Sequence, residues 1–162
     1  MNEIQQRKVF DYLEQKGIKT FLGVPDSTMK HFIDQGLKRG KVLVSTREEE
    51  AIGIGTGMAL SGSKCVIFMQ NAGFANSIST ITSLVQMYQI PLIFIIGWRG
   101  YLPNDAPEHL HVGRIQEKLL KLVDFKSKIL EEKNWRKNCD WALKNLERKK
   151  TSALIIRREF VD

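Results

Sequence analysis

Only two cysteines occur among the 162 residues, Cys65 in an apolar run and Cys139 in a charged, helical stretch. Thiols so far apart match neither a disulfide framework nor a metal cluster, so both are expected to be free. No run reaches the ~18 apolar residues of a membrane span. The opening stretch MNEIQQRKVFDYLEQKG scatters charges through an amphipathic helix where a secretory leader would be apolar. The expectation is a soluble, cytoplasmic protein that does not meet a membrane. Repeats and low-complexity tracts are also missing, which argues against solenoid and disordered classes. Acidic residues are the minority, 18 against 25 Lys and Arg, for a net charge of +7. A basic balance can serve nucleic acid, but neither an RNA-stacking motif nor helix-turn-helix spacing accompanies it. Lys144, Arg148, Lys149 and Lys150 carry much of the excess at the end of a helix, where cations complement the dipole and face solvent. No nucleic-acid partner is expected.

What is present is an ordinary globular composition, 43% hydrophobic and 27% charged. The length suits one domain, residues 1–162, but is short for an enzyme that must enclose a cofactor alone, so a partner chain is expected. Apolar periodicity predicts helix over 4–15, strand over 18–24, helix to about 38, strand over 41–45, and a helix beginning in the carboxylates of TREEE. Strands at 64–70, 91–97 and 152–157 follow, with helix over 73–89 and a long polar loop over 98–112. A helix, a further strand and another helix lie between that loop and the last strand. Six strands alternating with helices define an α/β fold, a three-layer, doubly wound, six-stranded parallel sheet, in which ligands gather beyond the C-terminal ends of the strands.

Those ends carry GVPDS, TREEE, QNAGFAN and GWRGYLPNDAPEHLHVGR. TREEEAIGIGTG is not a dinucleotide fingerprint, because carboxylates stand where glycine N–H groups would face a phosphate. Its glycines, Gly53, Gly55 and Gly57, fall inside the helix, at a cost of roughly 2–3 kcal/mol against alanine. Such thinning suits a helix that another helix must approach closely, as at a subunit interface. Glu49 and Glu50 are accounted for by the helix dipole and capping. Asp26 or Ser27 can cap the helix that follows the first strand.

TREEEAIGIGTGMALSG, with GVPDS before it and MQNAGFAN after it, resembles the pyrimidine-binding domain of thiamine-diphosphate enzymes, over about residues 5–158. GVPDS, MQNAGFAN, IPLIFIIGWRG and the spaced D-x-P-x-H are most similar to the phosphonopyruvate decarboxylases, with the sulfopyruvate decarboxylases close behind. The family's D-E-P-Q-H reads DAPEH here, at Asp105 to His109. The resemblance implies a carboxy-lyase acting on a small anionic 2-oxo acid. It implies Glu48, nine residues before Gly57, as the catalytic carboxylate that hydrogen-bonds the cofactor's pyrimidine nitrogen and moves a proton there. It places Pro25, Gln70, Asn71 and Gly73 with Glu48 at the cofactor, and Asp26, Ser27, Arg99 and His109 at the substrate. Asp105 and Glu108 would organise the loop. No G-D-G…N motif for diphosphate and magnesium occurs in the chain, so the resemblance implies an alpha subunit. Thiamine diphosphate and Mg2+ would then be held jointly with a beta subunit that carries the second domain. The competing readings are a regulatory protein that kept the fold and lost the chemistry, and a basic nucleic-acid-binding domain.

Overall fold

Asn2 opens the chain with a capping box: its side chain accepts from the Gln5 backbone N–H at 2.9 Å, and Gln5 returns the bond to Asn2 at 3.3 Å. The computed structural model describes residues 1–157; the last five residues of the expected domain lie outside the described residues. Helix α1 (Glu3–Gln15) leads to β1 (Thr20–Gly23), a 3-10 turn (Ser27–Met29), α2 (Lys30–Lys38), β2 (Val42–Val44), α3 (Glu48–Leu60) and β3 (Cys65–Gln70). Two short helices, α4 (Asn71–Asn76) and α5 (Ile78–Thr80), run into a π-helical segment (Ile81–Gln86). Then come β4 (Ile93–Trp98), α6 (Pro107–Leu122), β5 (Lys126–Ile129), α7 (Trp135–Glu147) and β6 (Ser152–Arg157).

Among the described residues, six strands form one wholly parallel sheet in the order β2-β1-β3-β4-β6-β5. The chain moves outward from β1 to β2 and then returns past β1 to β3, which creates a switch point where β1 and β3 adjoin. Alternation of side chains across the pleat feeds two cores. Phe21, Phe68, Ile95 and Ile156 meet α1, α2 and α7 on one face; Leu22, Ile67, Phe94 and Ile155 meet α3, α4 and α6 on the other. Phe10, Phe21 and Phe32 pack with centroids 4.2 to 5.5 Å apart and are fully buried. Each such ring removed from water is worth about 1.5–3 kcal/mol. Cys65 and Cys139 are free and buried, and desolvation pushes their thiols up to about 11 and about 12. No helix among the described residues is long and apolar enough to cross a membrane.

The structure departs from periodicity in two places. The helix expected over 73–89 starts at Asn71, pauses at Ser77 and continues with π geometry, where Met87 and Ile90 donate to Thr82 and Val85, five residues back. Hydroxyls compete for carbonyls throughout this stretch: Ser77 bonds Gly73 O, Thr82 bonds Ile78 O and Ser83 bonds Ser79 O. The second departure is the expected loop over 98–112, which is only 99–106, because Pro107 starts α6 as an N-terminal proline. His109, His111 and Arg114 therefore stand on a helix.

Candidate active site

Glu48 is the first residue of α3, and its two neighbours are occupied otherwise. Glu50 accepts from the backbone N–H and the hydroxyl of Thr46 at 2.8 and 2.7 Å, which holds its carboxyl below the usual range. Glu49 lies 3.6 Å from Arg47. The expected capping role thus falls to Glu50, while Glu48 makes no hydrogen bond or ion pair among the described residues. Its carboxylate rests, half-buried, on Gly73 in α4, so closely that a Cβ at Gly73 would collide with Oε1. Glycine at this position is what lets the two helix starts converge.

Asp26 follows β1 and is buried, with extended backbone (φ −133°, ψ 137°). It makes no capping hydrogen bond, contrary to one expectation, because its carboxylate turns inward over the sheet. Oδ1 accepts from Gln70 Nε2 at 3.1 Å, whereas Oδ2 is buried without a partner and sits against Gly97 of β4, where any side chain would displace it. A buried carboxylate oxygen with no donor among the described residues is unusual and calls for a structural or functional reason. Exposed Pro25 forms the rim beside it.

Asn71 is fully buried and ties two strand ends together, donating to Arg99 O at 2.9 Å and accepting from Arg99 N at 3.1 Å. Arg99, expected to face the substrate, is engaged elsewhere. Its Nε donates to both oxygens of Asp105, at 3.1 and 3.0 Å, its Nη2 to Oδ1 at 2.6 Å, and its Nη1 to Ser27 Oγ at 3.1 Å. The two side chains are only 12% and 5% exposed, so the pair is shielded and its charge is cancelled locally. Asp105 also accepts from the backbone N–H groups of Gly100 and Ala106, and this set, led by Arg99, holds its carboxyl well below the ordinary range. The Arg99 guanidinium is correspondingly raised, chiefly by Asp105. Asp105 therefore organises the loop, as expected. His109 is half-buried near the start of α6, its carbonyl packed against Gly100; Glu108 is exposed.

Two features were not anticipated. Gly97 is the floor on which Asp26 rests, and only its place as the last residue of an apolar run could have pointed to it. The other is a cluster of Trp98, Tyr101 and Arg157 at the ends of β4 and β6, whose sequence signal is a cation closing an otherwise apolar strand.

Fold and site together define a doubly wound α/β domain that presents two underused carboxylates, Glu48 and Asp26, beside a switch point. Comparison with known proteins identifies the class. The family model for the thiamine pyrophosphate enzyme, N-terminal TPP binding domain, matches residues 6–119. The chain is 37% identical over 130 residues to the sulfopyruvate decarboxylase subunit alpha of Methanocaldococcus jannaschii, covering 76% of each chain. It is 32% identical over 119 residues to the phosphonopyruvate decarboxylase of Streptomyces viridochromogenes, a match covering 72% of this chain but 30% of that one. Among solved structures, a 2-oxoglutarate:ferredoxin oxidoreductase from Magnetococcus marinus superposes with a TM-score of 0.68 at 13% identity, covering 94% of this chain and 28% of that one, a likeness of fold. The chain belongs to the family of thiamine pyrophosphate enzyme N-terminal domains.

Proposed function

We propose that the chain is the alpha subunit of a thiamine-diphosphate-dependent 2-oxo acid decarboxylase, a cytoplasmic enzyme completed by a beta subunit. The observation that carries this reading is Glu48: of three consecutive carboxylates it alone is left without a hydrogen bond or ion pair among the described residues, and it lies in a cradle that glycine keeps open. Those features fit an aminopyrimidine ring, which needs one carboxyl group at a ring nitrogen and a flat, unobstructed approach. Glu48 and Gly73 would hold it, with Gln70, Asn71 and Pro25 shaping the surroundings. When bound, thiamine diphosphate supplies a nucleophilic carbon and a sink for the electron pair released with carbon dioxide.

Glu48 then serves as the group that holds and returns a proton at the pyrimidine nitrogen. Asp26, its Oδ1 fixed by Gln70 and its Oδ2 against Gly97, would form the base of the space a 2-oxo acid occupies, with Ser27 and His109 nearer the rim. The Arg99, Asn71 and Asp105 ties keep three strand-end loops in one arrangement, which preserves the distances on which proton transfer depends. Mg2+ and the diphosphate would be held mainly by the beta subunit, since this chain carries no G-D-G…N motif. The relative named as an alpha subunit matches over equal shares of both chains, which supports a separate alpha chain; phosphonopyruvate is the substrate proposed first. Sulfopyruvate is the second reading.

The test is exchange of the cofactor's thiazolium proton for deuterium in the complex with the beta subunit. Glu48→Gln keeps shape and loses the exchangeable proton, so exchange is expected to slow by about 10²–10⁴-fold. Glu49→Gln and Glu50→Gln should cost at most about a few-fold, because they face other directions on the helix. Wild-type exchange in Glu48→Gln overturns the assignment.

A further inference from the structure

Arg157 ends β6 and pairs in register with Trp98, so it leaves the sheet at the same edge as the site and on the face of Ile155 and Trp98. Its guanidinium lies over the Trp98 ring at 4.9 Å and over the Tyr101 ring at 4.1 Å, the two rings being 5.2 Å apart. Nη1 donates to the Tyr101 hydroxyl at 3.1 Å, and Trp98 is itself fixed by donating to Gly113 O at 3.0 Å. Nε is buried and has no acceptor among the described residues. Among the described residues no carboxylate pairs with Arg157, as none pairs with Arg114, Arg136 or Arg148, whereas Arg7, Arg39, Arg47 and Arg99 each have one.

A guanidinium whose plane is set by two aromatic rings has the direction of its N–H groups fixed as well. The Nε edge, buried and without an acceptor among the described residues, carries the parallel donors that a tetrahedral oxyanion accepts in pairs. The position is also right. Arg157 leaves β6 at the C-terminal edge of the sheet, on the face that α3 and α4 cover and on which Glu48 rests against Gly73. Arg99, the other cation of this region, is already neutralised by Asp105.

We propose that Arg157, held by Trp98 and Tyr101, binds the sulfonate or phosphonate group on the substrate's methylene carbon and so sets the preference for doubly anionic 2-oxo acids. The proposal rests on the decarboxylase reading, and two measurements separate them. In the 15N-labelled full chain, the Arg157 Nε–H signal, assigned by its loss in Arg157→Lys, is expected to shift on addition of sulfoacetate or phosphonoacetate and to stay in place with acetate. In the complex with the beta subunit, Arg157→Gln is expected to raise the ratio of KM for sulfopyruvate to KM for pyruvate by about 10- to 100-fold, the loss of one charged hydrogen-bond pair. Arg157→Lys should recover part of it. Running phosphonopyruvate beside sulfopyruvate shows which oxyanion the site takes. An Nε–H signal indifferent to sulfoacetate and phosphonoacetate, or equally moved by acetate, overturns the anion site. So does a KM ratio within about two-fold of wild type. A complex that decarboxylates no 2-oxo acid, while the signal still shifts, overturns the decarboxylase reading and leaves the anion site standing.

Discussion

Glu48, Glu49 and Glu50 share one helical turn, and what separates them is their surroundings: a threonine for Glu50, an arginine for Glu49, a glycine for Glu48. Gly73→Ala tests that separation without touching a titratable group. The added Cβ must push the Glu48 carboxylate aside, so affinity of the complex for thiamine diphosphate, read by calorimetric titration, is expected to fall about ten-fold or more while the melting temperature barely moves. Asp105 supplies a pH prediction. Because Arg99 depresses its folded-state pKa, the stability it contributes is fully present above the ordinary carboxylate value of about 4 and is lost as pH falls below that. Asp105→Asn should cost about 3 kcal/mol at neutral pH, as for one partner removed from a shielded pair. It should also flatten the fall in melting temperature between about pH 4 and pH 2; an unchanged acid limb would count against the pair. Glu48 was singled out in the sequence through the family resemblance alone, by its place nine residues before Gly57. The engagement of Arg99 was not legible there, since it depends on a loop folding back to bring Asp105 and Ser27 to one guanidinium.

Within elements, α3 distributes its three glycines between two environments. Gly55 is buried, and a Cβ there would meet Ile67 Cδ1 at 2.9 Å and Leu22 Cδ1 at 3.3 Å, whereas Gly53 and Gly57 are exposed and have nothing within 4 Å. In the chain alone, Gly57→Ala should therefore raise stability by about 1 kcal/mol through helix propensity, seen as a higher melting temperature. Gly55→Ala should gain less, because Ile67 and Leu22 must give way. If the exposed stripe receives a partner helix, Gly57→Ala and still more Gly57→Leu should weaken assembly, measured by sedimentation with the beta subunit. Stronger chain and weaker complex together are the expected result; an unaffected complex would return the stripe to solvent. Strand positions were legible because apolar β-branched runs such as CVIFMQ and SALIIR are continuous. The π-helical break after α5 was hidden by intact apolar spacing, since hydroxyl competition for carbonyls leaves that spacing unchanged.

At the scale of the molecule, α3 carries half-buried Glu48 at its start and exposed Gly53 and Gly57 along its outer face. Ile54 and Leu60 on α3, Leu43 and Val44 on β2, and Met87 and Tyr88 just beyond the π-helical segment are exposed apolar side chains on adjoining elements, a concentration that isolated surface residues do not produce. The doubly wound fold could be read from alternation alone, whereas the cofactor chemistry came from the family resemblance, because the strand-end loops that set it converge only in the folded chain; under the proposed function this chain supplies the pyrimidine side of the site. The consequence is quantitative. A chain that supplies the pyrimidine contacts and none of the magnesium-held diphosphate contacts should bind thiamine diphosphate far more weakly than the complex, by a factor of at least about 10², since charged contacts of this kind are each worth about 1.5–3 kcal/mol. It should turn over no 2-oxo acid by itself. Titrating the beta subunit into a fixed amount of this chain should then restore decarboxylation and tight cofactor binding at the same stoichiometric point, because one event completes both. Full turnover by the purified chain, or cofactor binding that saturates before activity appears, would place the site elsewhere than between the two subunits.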